Sequence, residues 1–106
     1  MSVLTIRAHK RYAVRQPVRL DKSGSQPAKG LLIELSCEGC RISNLDRGGY
    51  AVGEAVTVRL GDLSLAGRIR WAHDSIAGVR LDRALYPSQL GELVARDRGM
   101  AEARVA

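Results

Sequence analysis

Hydrophobic and polar positions alternate along most of the chain. Leu31, Ile33 and Leu35 fall on one face of an extended segment, and Val56, Val58 and Leu60 on one face of another. Leu63, Leu65, Gly67, Ile69 and Trp71 align against Ser64, Ala66, Arg68 and Arg70, and Ala77, Val79 and Leu81 repeat the pattern. A period of two over successive segments predicts half-buried antiparallel strands. The breaks carry turn chemistry: a polar loop over 21–27, a tight turn at Ser36–Gly39, and a longer connection from Asn44 through Gly49 to Gly53. Gly61-Asp62 reads as a two-residue hairpin turn with glycine at the first, type II′ position, and His73-Asp74-Ser75 as another short turn. Short strands at this spacing predict a small barrel or sandwich, and closure into a barrel removes exposed edges. Past Asp82 the period changes. Leu90, Leu93 and Val94 at i, i+3 and i+4 predict one short helix over roughly 86–96, with Pro87 in its first turn and a tail over 97–106.

The 106 residues suit one domain. They exclude folds of ~250 residues such as the β/α barrel. Phe is absent, so the core is expected to be aliphatic. The net charge of +6 is uneven: residues 1–20 hold Arg7, Lys10, Arg11, Arg15 and Arg19 with no acid, while the remainder carries only +1. This divides the chain into a basic arm over 1–16, a barrel with its helix over 17–96, and the tail. A concentrated basic segment points to an anionic partner such as a phosphate, a nucleic acid or a membrane surface, or else to a solvated tail. No apolar run matches a signal-peptide core or a membrane span, so a cytoplasmic location is expected.

Two short patterns carry candidate chemistry. Arg11-x-x-x-Arg15 precedes the first expected strand, and Glu34-x-Ser36-x-x-Gly39 ends the second. Arginine captures phosphate, or the O6/N7 edge of guanine, through two parallel bonds. A carboxylate accepts from the opposite guanine edge, serine adds a small donor, and glycine admits close backbone approach. Together these are the parts of a site for a phosphorylated guanine. Ser36 and Gly39 also suit a hairpin turn that needs a small polar residue and a positive-φ residue. Cys37-x-x-Cys40 could be half a zinc site or a redox pair, but zinc needs two further ligands, and His9 and His73 lie far apart. Trp71 reads as core, and Arg68 and Arg70 as solvated surface. No nucleophile–base order, metal box or phosphate-cradling glycine loop is evident, which argues against an enzyme.

These residues resemble the PilZ domain family, the bacterial receptor module for cyclic di-GMP. The family pairs R-x-x-x-R with [D/N]-x-S-x-x-G about twenty residues later. Arg11 and Arg15 match the first motif, and Ser36 and Gly39 the second. Gly67-Arg68-Ile69-Arg70-Trp71 and Ala77-Gly78-Val79-Arg80-Leu81 resemble the family's fifth and sixth strands. The resemblance spans roughly residues 9–96. It implies a mainly β fold, a six-stranded antiparallel barrel with a C-terminal helix. It also implies an arginine arm that closes over cyclic di-GMP, with no other cofactor and no metal. By the same resemblance Arg11 and Arg15 would contact phosphate and guanine. Glu34, Ser36 and Gly39 would read the second guanine, and Lys10 would be a secondary contact. An unidentified downstream protein would receive the signal. Position 34 departs from the family pattern, since Glu replaces Asp or Asn and carries its carboxylate one methylene further out. Family members lacking the motifs act as adaptors without nucleotide, which supplies a second reading. A small nucleic-acid-binding barrel is a third, disfavoured by sparse aromatics: Tyr12, Tyr50, Trp71 and Tyr86.

Overall fold

A computed structural model of the chain describes residues 10–105, with side chains through residue 98. Arg7, His9 and the beginning of the expected arm lie outside the described residues. The described chain forms six strands, β1 (Tyr12–Asp21), β2 (Ala28–Leu35), β3 (Gly39–Ser43), β4 (Ala55–Leu60), β5 (Leu63–His73) and β6 (Ile76–Leu81), then helix α1 (Pro87–Val105). The strands close into a barrel in the order β1-β2-β3-β6-β5-β4, with every pairing antiparallel.

Alternating side chains fill this barrel, in β4 and β6 as read from the sequence and in β1 as well. Val14, Val18 and Leu20 of β1, Val56, Val58 and Leu60 of β4, and Ala77, Val79 and Leu81 of β6 are buried. Leu20, Leu32, Leu35, Ile42, Val58 and Ile69 are its largest fully buried side chains. A six-stranded barrel has little interior, and branched aliphatics fill it without Phe. The hairpin turn at Gly61 takes φ 58°, as a glycine at the first type II′ position does, and Asp74 takes φ 54° in the next hairpin.

Four sequence expectations are corrected. The first strand begins at Tyr12 rather than near 17: Tyr12 and Ala13 already pair with Leu35 and Glu34. Part of the expected arm is thus barrel wall, because Val14 and Gln16 continue the inward phase of Val18 and Leu20. The second correction concerns β2. Its buried leucines are Leu32 and Leu35, not the 31/33/35 set. The ladder to β3 steps from Leu32↔Ile42 to Glu34↔Arg41, leaving Ile33 as a bulge that shifts the phase by one residue.

The third is Trp71. Pairing runs Ile69↔Val79, then Trp71↔Gly78 and Ala72↔Ala77, so Arg70 is the extra residue. Ala72 takes the inward position and Trp71 lies on the outer wall against Gly78. The fourth is α1, which runs past 96 to Val105. Leu90, Leu93 and Val94 form its buried stripe as expected, and Asp97 continues that stripe. Pro87 occupies the first turn. The Gln89 side chain accepts the Tyr86 N–H at 2.8 Å, half of a capping box. The residues leading into α1 are tied to the β2–β3 turn, with the Leu85 N–H donating to the Cys37 carbonyl at 2.8 Å.

Candidate functional site

The two sequence patterns meet where β2 turns into β3. Leu35 pairs with Cys40, and the Ser36 N–H donates to the Gly39 carbonyl at 2.9 Å, leaving Cys37 and Glu38 as the turn. Ser36 Oγ accepts the N–H groups of Glu38 and Gly39, each at 3.2 Å. The hydroxyl therefore braces the turn that a serine favours locally. Gly39 is not the positive-φ residue that a hairpin turn was expected to need. Among the described glycines, positive φ occurs at Gly24, Gly49, Gly53 and Gly61. At Gly39 a Cβ would instead collide with the Val79 carbonyl oxygen, because β3 presses closely on β6 where Gly39 faces Arg80.

Outward positions of four neighbouring strands line up beside this turn. Glu34 on β2 faces Arg41 on β3, Arg41 faces Gly78 on β6, and Gly78 faces Trp71 on β5. Arg11, just before β1, reaches the same row: its Nη1 lies 3.3 Å from Glu34 Oε1. A second row carries Gly39, Arg80 and Arg68. The indole of Trp71 fills the space beside Gly78 that any Cβ would occupy. The Arg41 guanidinium lies over that indole, 5.5 Å from the ring centroid.

The result is an open groove of about 360 Å³ on the barrel's outer face. Arg11, Glu34, Ser36, Glu38, Gly39, Cys40 and Arg41 line it on one side. Arg70, Trp71, Gly78, Val79 and Arg80 line it on the other. Four arginines against two glutamates give a locally positive surface with planar donors, which suits a phosphate-bearing aromatic ligand.

Four of the six residues named from the sequence, Arg11, Glu34, Ser36 and Gly39, come together here. Lys10 and Arg15 are not among the lining residues. Lys10 holds its ammonium 5.1 Å from the Tyr12 ring centroid. Arg15 sits exposed on β1, and its backbone N–H donates to Asp97 Oδ1 at 2.8 Å. Arg41, Arg70, Trp71 and Arg80 line the groove without being marked as site residues by either motif. Their signal is the outward face of β3, β5 and β6, which for Trp71 depends on a bulge the alternation does not reveal. Arg68, read as surface, donates to the Gly53 carbonyl at 2.9 Å.

Cys37 and Cys40 are buried free thiols. Burial pushes Cys40 up to about 12, so it stays a thiol at neutral pH. Among the described residues no group of three or more His, Cys, Asp or Glu side chains is placed to hold a metal, and no helix is long and apolar enough to cross a membrane.

Comparison with curated proteins finds no match. Comparison with family models finds the PilZ domain over residues 5–96, a span that includes both motifs, all six strands and Leu90, Leu93 and Val94 of α1. With this match over most of its length and a closed six-stranded barrel, the chain belongs to the PilZ domain family.

Proposed function

We propose that the groove is a receptor site for cyclic di-GMP and that the chain is a signalling module rather than an enzyme. The observation that carries this reading is the meeting of Arg11, from the first family motif, with Glu34, Ser36 and Gly39 of the second in one positive groove, Arg11 lying 3.3 Å from Glu34. In this reading Arg11, Arg41, Arg70 and Arg80 supply guanidinium donors to the two phosphates and to guanine O6/N7 edges. Glu34 accepts from the opposite guanine edge, and the narrow Ser36–Gly39 turn admits the base close to backbone. The Arg41–Trp71 stack presents a flat, rigid surface for the second base. Lys10 and Arg11, at the entry to β1, close over the ligand, and Arg15 completes the phosphate contacts. Differential affinity for that closed state is what turns binding into a signal for a protein partner.

A second reading draws on the same ion pair. If Glu34 holds Arg11 too tightly, the groove is self-occupied and the chain acts as a nucleotide-free adaptor. Calorimetric titration of the full chain with cyclic di-GMP, run beside Glu34→Asp, separates the two. Saturable binding by the intact chain supports the receptor. Binding that emerges only in Glu34→Asp supports a groove closed by its own glutamate. No heat from either form rejects nucleotide binding.

A further inference from the structure

Asp97 is a carboxylate carried into the interface between α1 and the barrel, only 9% exposed, on the stripe that also holds Leu90, Leu93 and Val94. Its Oδ1 accepts the backbone N–H of Arg15 at 2.8 Å, across 82 residues of sequence. Two features of β1 create that opportunity. The ladder to β2 steps from Ala13↔Glu34 to Gln16↔Leu32, so Val14 and Arg15 together face Ile33. On its other side β1 pairs with β4 only over Arg19–Asp21, so its first half has no strand neighbour there and α1 packs against β1 instead. An N–H at such an irregularity must find an acceptor, and Asp97 is the one it finds.

We propose that Asp97 is a positioning residue for Arg15, resting on the receptor reading above: by holding the bulged backbone it sets where the second motif arginine points. The carboxylate makes no ligand contact itself. It acts through the Arg15 backbone, and Val14 and Gln16 stay inward while the Arg15 side chain stays outward. The arrangement also ties α1 to the ligand. By linkage, a partner that draws α1 and Asp97 away from β1 must weaken cyclic di-GMP capture by the same factor that the ligand weakens the partner.

The test has two readouts on the full chain. Amide hydrogen exchange at Arg15 is measured by NMR without ligand, and cyclic di-GMP affinity by calorimetry. Asp97→Ala is expected to lose the protection of the Arg15 amide and to bind about tenfold more weakly. Asp97→Asn keeps an acceptor oxygen and should restore both. Asp97→Glu keeps the charge but moves the acceptor, and it serves where Asp97→Ala does not fold. It should weaken binding severalfold while its melting temperature stays close to that of the parent. An Arg15 amide as protected in Asp97→Ala or Asp97→Glu as in the parent overturns the proposal, as does unchanged affinity in a variant whose amide has lost protection. A parent that binds no cyclic di-GMP overturns the receptor reading instead, while the exchange readout still decides whether Asp97 holds the Arg15 backbone.

Discussion

The indole of Trp71 lies against Gly78 across the β5–β6 pair, in space where a side chain at position 78 would collide with it. The two residues are one device: glycine leaves the recess, and tryptophan fills it and gives Arg41 a surface to lie on. Gly78→Ala is therefore expected to lift the indole from the wall. Trp71 is the chain's one tryptophan, so its emission reports the change directly. Emission should shift on Gly78→Ala, and cyclic di-GMP should bind more weakly than to the parent. Unchanged emission would show that the ring does not depend on this recess.

The β2–β3 turn depends on Ser36 Oγ, which accepts two backbone N–H groups. Ser36→Ala leaves both without that acceptor, and a loss of about 1–2 kcal/mol is expected in urea unfolding. Ser36→Thr keeps the oxygen and should recover most of it.

Gly39 is limited by space rather than by φ. Gly39→Ala forces β3 away from the Val79 carbonyl, and backbone yields less readily than a side chain. A destabilisation of about 1–3 kcal/mol follows, read in the same unfolding experiment. By contrast Gly48→Ala, where nothing approaches within 4 Å, should be nearly neutral.

Burial raises Cys40 to about 12, above the ordinary value of 9.0. The folded state therefore holds its proton more tightly than the unfolded state. The resulting contribution to stability is full below about pH 9 and is lost as pH rises from 9 toward 12. Iodoacetamide should label Cys40 slowly at about pH 8 in the folded chain and quickly once it is unfolded. Rapid labelling of the folded chain would contradict this burial.

The strands β2, β4, β5 and β6, the turns and the Leu90, Leu93 and Val94 stripe of α1 were legible because each rests on local pattern, whereas closure into a six-stranded barrel was implied only by the family resemblance. Alternation marks strands, Gly61 marks its hairpin, and Leu90, Leu93 and Val94 mark the helix face. Part of the groove's lining was legible too, since Arg11, Glu34, Ser36 and Gly39 lie in two compact motifs. What escaped depends on pairing between distant segments. A bulge adds one residue without a compositional mark, and at Ile33 and Arg70 it exchanges inside for outside, which moved Leu32 into the core and Trp71 out of it. Arg41 and Arg80 resemble any solvated arginine until the register sets them beside Glu34 and Gly39. Asp97 read as tail because its acceptor role is satisfied 82 residues away.

The most direct test of the receptor reading is an NMR titration of the full chain with cyclic di-GMP, following backbone amides and the Trp71 indole N–H. Saturable shifts are expected at Glu34, Ser36, Gly39 and Arg41 and at the Trp71 indole, and Arg11→Ala should abolish or greatly weaken them. Spectra unchanged at high micromolar ligand, or saturable shifts confined to the far side of the barrel around β4, would contradict it.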